Sequence, residues 1–231
     1  MTIKNRVEFI RKRSSDKKFF TVKSVQVMVK DPLPKGVSIQ KIVKKSLQKV
    51  PEFLLKNLDI IYVGQFQDLI DRDLHAIYKD ASIFATNEHN SEESMIDDIV
   101  HEVAHSVEET YSNLIYSDYK IEKEFIQKRK QLWSILKDEG FEVNLIDFVE
   151  PEYNKNFDEF LYQEVGYPFL TATTVNLFHS PYGATSLREY FANGFEAFFM
   201  REEIPRLRRI SPRLFEKLEL LLSLGDKVNN I

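Results

Sequence analysis

The sequence predicts an α+β fold: a small mixed sheet and one long helix in the N-terminal half, then a mainly helical C-terminal lobe. Two patterns carry this. Short β-branched runs with period-two or continuous apolar character fall mostly before residue 87, and later apolar residues recur mainly at helical spacing. The chain is also rich enough in apolar side chains to bury a core. Of 231 residues, 43% are hydrophobic and 18 are Phe, which excludes a disordered chain.

Residues 1–20 are polar and basic and read as a solvated arm or short helix. Residues 21–30 alternate, with Val25, Val27 and Val29 on one face, as in a half-buried strand. DPLPKG (31–36) is a turn, and Ser38 then caps a helix to about Lys49 whose apolar side is Ile39, Ile42, Val43 and Leu47. LDIIYV (58–63) reads as a buried strand, 66–75 as an ambiguous segment with a short helix, and ASIFAT (81–86) as another strand. A long helix follows, capped by Asn90 or Ser91, with Glu92 and Glu93 in its positive first turn. A charge-rich helix spans 120–139 and stops at Gly140; FEVNLIDFV (141–149) reads as a strand, and 150–180 has no clear pattern. Helices at 186–201 and 212–224 complete the chain. We expect one domain over 1–231, with lobes of about 1–118 and 119–231.

The long helix carries His101-Glu102-Val103-Ala104-His105. Residues i and i+4 share a helix face, so two imidazoles can bind one metal ion while the intervening Glu reaches a water beside it. Val100, Val103, Ala104 and Val107 give this helix the apolar or small face that a buried metal-bearing helix needs. A zinc peptidase also needs a third protein ligand and an open position. Glu189, in the helix SLREYFANGFEAFF (186–199), is a candidate. Ser186 and Glu189 equally match a capping box, which would give the carboxylate to backbone amides.

HEVAHSVEETY (101–111), SPYGATSLREYFANGF (180–195) and, more loosely, SPRLFEKLELLLSL (211–224) resemble the catalytic domain of anthrax lethal factor and the related Pro-Pro endopeptidases, within the gluzincin metallopeptidases. The resemblance implies a zincin-like fold and a Zn2+ ion held by His101, His105 and Glu189. It implies Glu102 as the catalytic base and Tyr182, which precedes Gly183 at the family's Tyr-Gly offset, as a hydroxyl assisting the transition state. It covers the C-terminal half; the N-terminal half matches only in style. The family is commonly acidic four residues after the ligand Glu, where this chain has Asn193. The spacing from His105 to Glu189 is longer than in lethal factor, which marks residues near 141–179 as an insertion able to wall a cleft.

The expectation is therefore a zinc-dependent endopeptidase. Glu109, four residues after His105, is a candidate to hold that imidazole's second nitrogen, and Asn193 a candidate for His101. His179, three residues before Tyr182, is a candidate second oxyanion donor. His75 and His89 read as ordinary polar surface residues. A peptide substrate is expected along a free edge of the strand at 81–86. The alternative is a catalytically inactive protein of the same fold serving a binding or virion role, which would have no need of both Glu102 and Tyr182. A net charge of −4 argues against a nucleic-acid partner despite Lys/Arg runs at 11–18 and 41–49. The absence of cysteine excludes disulfides and thiolate metal sites. The N-terminus lacks the apolar stretch of a secretory signal, and no run is long enough to span a membrane, so a cytoplasmic protein, or one delivered without a classical signal, is expected.

Overall fold

The computed structural model describes residues 18–200 and 203–228. The basic arm expected at the start therefore lies almost wholly outside the described residues. The chain is α+β and divides into two compact units, 1–107 and 108–231. The boundary lies inside the long helix.

In the first unit, Val25, Val27 and Val29 are buried on one face of a strand, as their alternation predicts, while Thr21 and Val22 belong to the preceding strand of a hairpin. β1 (Lys18–Val22) and β2 (Val25–Val29) pair antiparallel, and Lys23 takes the positive φ of 53° that the tight turn requires. A crossover through helix α1 (Ile39–Gln48) lets β3 (Ile60–Val63) pair parallel to β2. Helix α2 (Gln67–Asp71) then leads to β4 (Ala76–Lys79) and β5 (Ser82–Ala85). The order is β1-β2-β3-β5-β4, with β3 and β5 parallel and β4 and β5 antiparallel.

Register explains the core. Val27, Ile61 and Ile83 lie in one cross-strand row, all fully buried. The next row carries Met28, Tyr62 and Phe84, whose last two rings stack at 5.1 Å. Ile42, Val43 and Leu47 of α1 are also fully buried, as their spacing predicts.

The topology corrects one expectation. The strand at 81–86 has no free edge, because β5 is paired with β3 on one side and β4 on the other. The edge next to it belongs to β4, an element unseen in the sequence. β4 turns into β5 through Asp80 and Ala81, whose φ angles are 50° and 58°. That is the left-handed geometry of a two-residue hairpin, with Ala where Gly normally gives the signal.

Helix α3 (Glu92–Tyr116) follows, with a non-helical residue at Tyr111. Ser91 is the cap: its Oγ accepts the Ser94 N–H at 3.0 Å. Ile99, Val100, Val103 and Ala104 are fully buried.

Every regular element of the second unit is helical among the described residues. Helix α4 (Lys120–Asp138) ends at Gly140, which has a φ of 92°. The segment expected as a strand at 141–149 is instead a loop and helix α5 (Leu145–Val149), because Asn144 caps it by accepting the Ile146 N–H at 3.1 Å. Helix α6 (Lys155–Glu159), a π-helical segment (Phe160–Gly166) and helix α7 (Tyr167–Thr173) fill the stretch that had no sequence pattern. Helix α8 (Leu187–Phe199), α9 (Ile204–Ile210) and α10 (Pro212–Val228) complete the unit. Glu124 of α4 caps α10, accepting the N–H groups of Arg213 at 2.8 Å and Leu214 at 3.2 Å. The Tyr190 hydroxyl of α8 also donates to Glu124, at 2.9 Å.

No helix among the described residues is long and apolar enough to cross a membrane.

Candidate metal centre

One ligand atom each from His101, His105 and Glu189 lies within 4.8 Å of the others, forming a possible metal-binding triad. His105 is buried; His101 and Glu189 are half-buried. The two imidazoles are 4.9 Å apart between centroids and nearly perpendicular, as one helix turn allows. Two neutral-nitrogen donors and a carboxylate, without thiolate, match the donor chemistry of zinc and related first-row divalent ions.

Ser186 Oγ accepts the Glu189 N–H at 3.2 Å, the serine half of the expected capping box, and a carboxylate oxygen of Glu189 also lies in the triad. Glu102, between the two histidines, accepts the Tyr78 backbone N–H through Oε2 at 2.6 Å.

Around Glu189, the second unit builds an aromatic and acidic surround. Tyr182 follows Ser180, which caps the short turn 181–184 and donates its hydroxyl to Asn193 Oδ1. Gly183 is held closely here, since a Cβ on it would stand 3.0 Å from Asn193 Oδ1. Burial, and next the Glu189 carboxylate, push the Tyr182 hydroxyl far above the usual phenol range, so it stays a proton-bearing donor.

The expected insertion near 141–179 contributes Tyr153 and Asp158, joined by a hydroxyl donation of 3.0 Å. It is anchored beside α8: Leu187 N–H donates to Pro151 O at 2.8 Å, and buried Arg129 donates to Glu150 O at 2.8 Å and to Asp147 O. Burial and then the bond to Asp158 push Tyr153 up to about 12. Burial also raises Asp158, with Glu189 adding repulsion against the opposing bond from Tyr153.

Three expected supporting residues are placed elsewhere. Glu109 is exposed on α3; its neighbour Glu108 is the buried carboxylate, accepting the Tyr116 hydroxyl at 2.6 Å and Arg188 Nε at 3.0 Å. Glu108 lies four residues after fully buried Ala104 and is itself buried, whereas Glu109, four residues after His105, is exposed. Asn193 Oδ1 accepts the Ser180 hydroxyl, not an imidazole N–H. His179 is buried with Nδ1 at 3.5 Å from Glu203, and burial and then Arg206 lower it to about 4. That ring faces the start of α9 and is neutral at ordinary pH. His89 is also no surface residue: its side chain is 3% exposed and bonded to Asp98 at 3.0 Å.

Comparison with protein-family models, with curated proteins and with solved structures returns no match.

Proposed function

We propose that this chain is a zinc-dependent endopeptidase of zincin-like fold, related to the lethal factor and Pro-Pro endopeptidase gluzincins. The observation that carries the reading is the convergence of His101, His105 and Glu189, residues separated in sequence but matching a two-histidine, one-carboxylate donor set. These residues would hold the ion. When bound, zinc is a Lewis acid that lowers the pKa of water from about 15.7 to about 7.

The remaining roles belong to the chain. Glu102 takes the proton of the attacking water and returns it to the leaving amine, which makes it general base and then general acid. Tyr182 donates its hydroxyl hydrogen bond where negative charge develops on the carbonyl oxygen. Its persistently protonated state supports that use. An extended peptide substrate would lie alongside the edge strand β4, whose outward Tyr78 N–H is taken by Glu102.

The test is cleavage of a diverse peptide library by the zinc-loaded protein and by Glu102→Gln. The wild-type chain should cut, and the variant should keep its zinc and lose cleavage. Full activity in Glu102→Gln would remove the base from the mechanism. Zinc binding without any cleavage would favour a non-catalytic role for the fold.

A further inference from the structure

The contact between Glu102 and β4 assigns a task to a backbone group. Thr86 N–H donates to His75 O at 2.8 Å, so the hydrogen-bonded pairs between β4 and β5 fall at His75 and then alternate. Tyr78 lies opposite Ile83 in a non-hydrogen-bonded pair, and its N–H therefore points away from the sheet. Glu102 Oε2 accepts that N–H at 2.6 Å from a position 24 residues further along the chain. A bond to a carboxylate of this length belongs to the strong, charge-assisted class.

We propose that the Tyr78 backbone N–H is the positioning donor of the Glu102 carboxylate: the edge strand fixes Oε2 and with it the orientation of the base. The inference rests on the peptidase reading. A helix side chain with three rotatable bonds is poorly placed to hold a base to the tolerance catalysis needs, whereas a strand amide is rigid. A purely structural alternative is that Glu102 only covers an exposed edge donor. The two differ in what they do to turnover.

Proline at an outward-facing edge position removes the N–H without breaking the ladder to β5. Tyr78→Pro should keep zinc and KM and lower kcat on the order of 10²-fold, the cost of a misplaced catalytic group. Tyr78→Ala keeps the N–H and serves as the control for loss of the side chain, so kcat of Tyr78→Pro should fall on the order of 10²-fold below that of Tyr78→Ala. Equal kcat in Tyr78→Pro and Tyr78→Ala overturns the proposal while leaving the peptidase reading intact; absence of cleavage by the wild-type chain overturns both. A second measurement is independent of activity and of whether Tyr78→Pro folds. Amide hydrogen exchange at Tyr78 should be slow in the wild type and accelerate in Glu102→Ala; unchanged exchange overturns the proposal.

Discussion

Replacing Gly194 with Ala tests how the helix bearing Glu189 is seated. A Cβ at residue 194 would stand 2.8 Å from Leu214 Cγ, and nearer still to its Cδ2. Leu214 is fully buried on α10, so it has no open space to enter. Overpacking of this kind costs about 1–3 kcal/mol. Ala regains about 1 kcal/mol of helix propensity over Gly. Because two Leu214 carbons are encroached upon, the steric loss should fall in the upper part of its range, leaving a net destabilisation of about 1–2 kcal/mol. For a chain of this size that lowers Tm by roughly 2–8 °C. Thermal unfolding followed by circular dichroism reads it directly. Leu214→Ala in the same chain should relieve the clash, making the double variant less destabilised than the sum of the two single changes. A Tm equal to or above wild type in Gly194→Ala would refute the close approach of α8 and α10.

Two further outcomes follow from single side chains. His179 is held near 4 against a usual 6.5, so the unfolded chain binds more protons between those values and stability falls as pH drops from 6.5 to 4. The contribution amounts to roughly 3 kcal/mol at most; His179→Phe should flatten that part of a urea-denaturation pH series, and an unchanged slope would show that another group titrates. Tyr182→Phe should lower kcat by about 10²–10³ with little change in KM, and an unaltered kcat in peptide cleavage would exclude Tyr182 as a transition-state donor.

The parts of the fold legible in the sequence were those with strong local patterns. Ile42, Val43 and Leu47 announce α1, and Ile99, Val100 and Val103 announce α3, because a helix burying one stripe must repeat it. β4 was not legible: it is four residues long and its turn uses Ala81 where Gly would mark it. Phe141, Val143 and Leu145 alternate as in a strand, a pattern overridden by the Asn144 cap that starts helix α5. At the site, His101 and His105 follow from helical spacing alone, and Glu189 joins them in the triad. The supporting contacts were less accessible. Glu108 and Glu109 are chemically identical neighbours, and only the phase of α3 decides which one is buried. The Tyr78 amide carries no sequence signal, since every non-proline residue has one.

The most direct measurement is zinc affinity by competition with a chromogenic chelator, on the wild type and on His105→Ala and Glu189→Ala, with folding checked by circular dichroism. The account requires stoichiometric, tight zinc in the wild type and a large loss of affinity in both variants. A folded Glu189→Ala protein that retains wild-type affinity, or a wild-type chain that takes up no zinc, would contradict it.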